Sequence, residues 1–100
     1  MFDKGKPRYE TKGINERLCL VYKIMLWDLI EKLSKEVKLD YLQGFEFSIE
    51  EDKTQMIRHS QEVPEYKKEY IVPILEEGIE AKVFVIDDGE YCIMLWADEY

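Results

Sequence analysis

The chain has 100 residues, 46% of them hydrophobic and 13% aromatic, which suffices for one domain with its own core and leaves no room for a second. Its 22 acids against 14 bases give a formal net charge of -8, which disfavours nucleic acid as a direct partner unless basic residues cluster on one face. No apolar run approaches the roughly 20 residues of a bilayer span, and the start Met1-Phe2-Asp3-Lys4-Gly5-Lys6-Pro7 has no signal-peptide core, so no membrane contact and a cytoplasmic location are expected.

After a short polar start, Arg8 to Lys12 alternates weakly and reads as an edge strand. Asn15 suits an N-cap, Glu16 suits the positive end of a helix dipole, and from Arg17 the apolar spacing turns helical. Leu18, Tyr22, Met25, Leu26, Leu29, Ile30, Leu33 and Val37 form one broad stripe, opposite the i,i+4 pairs Asp28/Lys32 and Glu31/Lys35. A single amphipathic helix ending near Lys38 is expected to lay that stripe on a sheet.

Beyond the helix the period falls to two. Phe45, Phe47 and Ile49 alternate with Glu46, Ser48 and Glu50 within the stretch 41–50, and the turn Glu51-Asp52-Lys53 leads into a second strand over 54–61. The parity shift from Leu42 to Phe45 suggests a bulge at Gly44. Pro64 separates a strand over 66–72, Pro73 to Gly78 separate another over 79–87, and Asp87-Asp88-Gly89 turns the chain into 90–96, with Gly89 taking positive φ. The order gives an α+β fold in a single domain over residues 1–100: one N-terminal amphipathic helix on a mostly antiparallel sheet of about five to six strands. The mildly basic N-terminal strand is expected beside the acidic C-terminal end.

The residues that carry chemistry are few. His59, the single histidine, adjoins Ser60 on a strand, where neighbouring side chains point to opposite faces, so the two do not form a pair. Cys19 and Cys92 sit in apolar runs and read as small buried hydrophobes, rather than as a nucleophile or, in a reducing compartment, a disulfide. One histidine with two distant cysteines has no zinc spacing, Asp87-Asp88-Gly89-Glu90 lacks the alternating ligands of a calcium loop, and there is no glycine-rich phosphate loop. No catalytic residue, cofactor or metal ligand is assigned.

Three patterns remain. From Glu76 onward eight acids stand against Lys82 alone, an acidic face or rim that either keeps a sheet edge soluble or docks a basic partner. Leu20, Ile24 and Trp27 form a second helical stripe that one sheet cannot cover; a loop or the C-terminal segment folding over it is the favoured reading, an exposed interaction patch the other. Tyr66 and Tyr70 share parity on one strand, where Tyr22, Tyr41 and Tyr91 are candidates to approach them.

Lys6-Pro7-Arg8-Tyr9 with Gly13-Ile14-Asn15, Leu39-Asp40-Tyr41-Leu42-Gln43, His59-Ser60-Gln61-Glu62 with Pro64-Glu65-Tyr66-Lys67, and Ala81-Lys82-Val83-Phe84-Val85-Ile86-Asp87-Asp88-Gly89 resemble the small bacterial proteins of the domain of unknown function 960 family over nearly the whole chain. The resemblance implies a compact cytoplasmic protein and carries no catalytic residue. The leading expectation is a protein-protein interaction or regulatory module without catalytic activity, using Leu20, Ile24 and Trp27, or Asp87, Asp88 and Glu90, against another protein. The alternatives are an acidic nucleic-acid mimic that inhibits a basic protein, which requires acids on one surface, and a small-ligand binder or enzyme, which requires a cleft joining His59 to a cysteine, carboxylates or tyrosines. Oligomeric state is left open.

Overall fold

Strands form where the apolar period is two: Arg8–Glu10 (β1), Leu42–Ile49 (β2), Thr54–Gln61 (β3), Tyr66–Pro73 (β4), Ala81–Asp87 (β5) and Cys92–Trp96 (β6). The computed structural model describes residues 1–74 and 77–100, and in it the six strands make one sheet in the order β1-β6-β5-β2-β3-β4. Every pairing is antiparallel except β1 with β6, which sets Arg8 beside Cys92. β1 does lie along β6, the C-terminal strand, although neither strand carries a net charge of its own. The last turn also takes its expected form, with Gly89 at φ 96. Part of the Pro73–Gly78 connection, including Glu76, lies outside the described residues.

The expected single helix is instead two, Lys12–Arg17 (α1) and Leu20–Ser34 (α2), with a 3-10 turn over Ala97–Glu99 closing the chain's course. Thr11, not Asn15, caps α1. Its N–H still bonds the Met94 carbonyl at 3.0 Å, so the chain leaves the sheet at this residue, and its hydroxyl is free to accept from the Ile14 N–H at 3.2 Å. Leu18 and Cys19 are extended between the helices, and this break lets Ile14 and Leu18 enter the core together with Tyr22, Leu26, Ile30 and Leu33. α2 stops at Ser34 and turns through bonds from the Glu36 and Val37 N–H groups to the Leu33 carbonyl, which brings Leu39 into the core ahead of β2.

Helices cover one face of the sheet only. Facing them are Gln43, Phe45 and Phe47 of β2, Gln55, Ile57, His59 and Gln61 of β3, Val83, Val85 and Asp87 of β5, and Cys92, Met94 and Trp96 of β6, all buried. The opposite parity forms an open face. Gly44 pairs in unbroken register with Ser60 on one side and Phe84 on the other, so the expected bulge is absent. The parity shift has another cause: Leu42 belongs to the open face and Phe45 to the covered one. The N-terminal segment, polar on reading, is also anchored, for Phe2 buries its ring and donates its N–H to Asp87 at 2.6 Å.

Candidate functional site

On the covered face the polar side chains satisfy one another. Gln61 Nε2 donates to the Lys38 and Pro64 carbonyls, leaving its oxygen to accept from the Asp40 N–H and from Gln43 Nε2. Gln43 Nε2 also donates to the Asp40 carbonyl, so Gln43 Oε1 must face His59, and His59 Nε2 is the donor at 2.7 Å. The imidazole is thereby held as the neutral Nε2–H tautomer, stacked on Phe45 with ring centroids 4.4 Å apart, and its Nδ1 is buried without a partner. Burial pushes its pKa down to about 4. His59 is a structural group, and Ser60 points to the other face, as strand geometry requires.

Of the two cysteines, Cys19 lies between the helices and Cys92 on β6. Both are free thiols, and burial, aided by the Asp87 carboxylate, pushes the Cys92 thiol up. Among the described residues no three histidine, cysteine, aspartate or glutamate side chains converge as a metal site.

The candidate interaction residues separate. Asp87 is buried: its carboxylate accepts from the Phe2 and Gly89 N–H groups and takes two bonds from Lys6 Nζ. Burial alone would raise its pKa, but these donors outweigh it and hold the carboxyl below its ordinary range, while the Asp87 bond raises Lys6. Asp87 therefore ties down the N-terminal segment and presents no charge to a partner. Asp88 and Glu90 are exposed in the β5–β6 turn, and Asp88 accepts a bond from the Tyr91 hydroxyl, which raises that phenol. Asp98 and Glu99 lie at the other end of β6, about 16 Å along the strand, and Glu99 is bonded to Thr11 and the Trp96 N–H. These acids occupy two ends of the sheet, with Asp87 buried at the first of them, so they do not gather on one surface as the acidic face or rim expected from the sequence.

The second helical stripe is not covered as a unit. Leu20 is 67% exposed and Ile24 51%, and Val21 beside them is exposed too. Trp27 is half-buried with the Arg8 guanidinium 4.6 Å over its ring, and Arg8 is itself paired with Glu31 at 3.1 Å. What stays open is a patch of three aliphatic side chains, roughly 300 Å² at most, a size that monomeric proteins commonly expose. The tyrosines have several ring partners. Tyr22 packs edge-on against Phe47 in the core, Tyr91 against Tyr9, and Tyr66 against His59.

The open face carries the feature that the sequence reading missed. Register lays three rows across it, two residues and about 7 Å apart. In the first row Tyr9, Ile93, Ile86 and Leu42 stand side by side on four adjacent strands. Leu95, Phe84, Gly44, Ser60 and Lys67 form the second. The third is a charge ladder, Lys82, Glu46, Arg58 and Glu69, in which Arg58 reaches Glu46 at 3.2 Å and Glu69 at 2.6 Å. Where the second row passes Gly44, a cleft of about 540 Å³ opens. A Cβ on Gly44 would stand 3.3 Å from Ser60 Oγ and 4.0 Å from the Phe84 ring, so the missing side chain is what deepens the floor. Phe84 and Tyr100, edge to face at 5.6 Å, and Tyr41 form the aromatic wall. A hydrogen bond to Tyr100 holds the Tyr41 phenol above its ordinary range. The strand pairings that build these rows join segments far apart in sequence, which is why no local signal revealed them.

No helix among the described residues is long and apolar enough to cross a membrane. The chain matches no curated protein. It is similar to a solved structure, the crystal structure of a protein of unknown function from Enterococcus faecalis, with a TM-score of 0.87 at 22% identity over 99% of this chain and 94% of that one. That likeness shows the fold. Residues 7–99 match the model of a family described as staphylococcal protein of unknown function (DUF960), and the chain belongs to that family.

Proposed function

We propose that the protein is a binding module without catalytic activity, and that it docks another protein on the open face of its sheet. The observation that carries this reading is the row Tyr9, Ile93, Ile86 and Leu42, an apolar band four strands wide that no helix covers, continuous with the Gly44 cleft. It supplies a broader contact than Leu20, Val21 and Ile24, and it has the aromatic content typical of interface cores. The histidine argues against acid-base chemistry, since its one engaged nitrogen donates to Gln43 and its ring is buried on the opposite face. The separated acids argue against a surface that imitates a phosphate backbone.

The test compares three immobilised forms of the protein in one lysate: the wild type, Ile86→Lys/Ile93→Lys on the open face, and Leu20→Ser/Ile24→Ser on the helix. A partner retained by the wild type and the helix variant, and lost by the folded open-face variant, supports the reading. Loss with the helix variant alone moves the interface to α2, and equal retention by all three overturns both surfaces.

A further inference from the structure

We propose that the Gly44 cleft recognises an extended peptide segment in which one apolar or aromatic residue is flanked, two positions away on either side, by one basic and one acidic residue. The inference rests on the open face being the docking surface. Its basis is the way charge is divided along the cleft. Glu62 and Glu65 lie one residue past the end of the β3–β4 ladder, level with Leu42, whereas Lys67 is level with Gly44 and Lys82 is level with Glu46. The apolar floor of Gly44 and Phe84 stands between the two glutamates and Lys82, with Lys67 in the same row as the floor, two strands from Gly44.

These four charges are available. None of them takes part in an ion pair among the described residues. Lys82 has Glu46 as its cross-strand neighbour, yet Arg58 takes that carboxylate, and the Lys82 ammonium stands 5.4 Å from the Phe84 ring. Asp40, the other acid of the cleft, already accepts from the Tyr41 and Val63 N–H groups, so it offers less to a ligand than the two glutamates do.

The dimensions fit an extended chain. From the level of Leu42 to that of Glu46 is four residues of strand, roughly 13 Å, which equals the span from position i−2 to i+2 of an extended peptide. Those three side chains point the same way, so a central ring seats over Gly44 while the flanking charges reach the two ends. A simple anion meets Glu62 and Glu65 as well as the lysines, and a simple cation meets the lysines. Only a segment carrying both signs is complementary along the whole cleft.

The test is titration of the ¹⁵N-labelled full chain with acetyl-Lys-Gly-Phe-Gly-Glu-amide, followed by NMR, beside three control peptides: both charges lysine, both glutamate, and serine in place of phenylalanine. The expected result is shifts at the Gly44, Ser60, Lys82 and Phe84 amides, with each control weaker by about tenfold. Lys82→Glu should transfer the preference to the two-lysine peptide with the melting temperature unchanged, and Gly44→Ala should weaken all binding. No shifts at these amides, or a peptide ranking indifferent to Lys82→Glu, overturns the assignment. If Ile86→Lys/Ile93→Lys abolishes partner retention while the peptide leaves Gly44 silent, the cleft assignment falls and the docking face stands.

Discussion

The two faces of the sheet are made by the same strands, and each carries some residues that its environment does not favour. The covered face buries Gln43, Gln55, His59, Gln61 and Asp87, each with hydrogen-bond partners inside the chain. The open face leaves Tyr9 and Tyr41 exposed and Ile86, Ile93 and Leu42 half-buried, with no helix among the described residues packed over them. Polar groups out of water need partners, and apolar groups in water gain from finding one. The covered face has met its requirement internally except at His59 Nδ1 and Trp96 Nε1. The open face has not, which is why the binding reading belongs there.

Substitutions should therefore divide by face. The largest stability effect is expected on the covered side: His59→Ala removes a fully buried ring from Phe45 and leaves Gln43 Oε1 without its donor, a loss of about 4 kcal/mol. Thermal unfolding followed by circular dichroism should show a melting temperature more than roughly 10 °C lower. A drop within a few degrees would break the contrast between the faces.

Acid should act through the same residue. His59 titrates at about 4 when folded and near 6.5 when unfolded, so between these values the unfolded chain holds a proton that the folded one lacks. Stability contributed by the neutral ring is full above pH 6.5 and lost as the pH falls to 4, about 3 kcal/mol in all. Urea unfolding at several pH values, against His59→Gln as the control for other groups, measures this difference. Equal slopes for the two proteins would mean that the ring is not held neutral by burial.

Asp87→Asn should cost roughly 2 kcal/mol, since charge-assisted bonds from Lys6 and the Phe2 N–H are weakened while the shape is kept. Faster hydrogen exchange and proteolysis at the N-terminal segment would accompany it. Unchanged protection there would remove the anchoring role assigned to this carboxylate.

The smallest stability effects belong to the open face. Ile93→Lys should change unfolding free energy by less than about 1 kcal/mol while abolishing partner retention. Gly44→Ala should leave stability within about 0.5 kcal/mol of the wild type, because the entropy gained by replacing a strand glycine is offset by the 3.3 Å approach to Ser60 Oγ. An open-face substitution that melts the protein as His59→Ala does would show that this face also holds the fold together.

Much of the fold was legible because it depends on neighbours in sequence. The α2 stripe of Tyr22, Leu26, Ile30 and Leu33 and the alternation of Phe45 and Phe47 each follow from a local period, and the β5–β6 turn follows from Gly89. The helix break at Leu18 and Cys19 was not legible, for no glycine or proline marks it and its cause is the burial of Ile14 and Leu18. Asp87 illustrates the same limit. It reads as a turn acid facing solvent, and only the return of Phe2 and Lys6 from 81 and more residues away makes it an internal anchor. Trp27 reads as surplus apolar surface until Arg8 of β1 is placed over it.

Period and parity are properties of adjacent residues, and they were enough for the α+β class, the alternating faces of the strands and the separation of His59 from Ser60. Long-range pairing sets which parity faces water, the single row of Tyr9, Ile93, Ile86 and Leu42, and the place of Gly44 between Phe84 and Ser60. The strand order β1-β6-β5-β2-β3-β4 unites β2 with a strand more than thirty residues later and β1 with one more than eighty later. Such pairings are chosen by the burial of the whole core, and no local pattern in the chain records them.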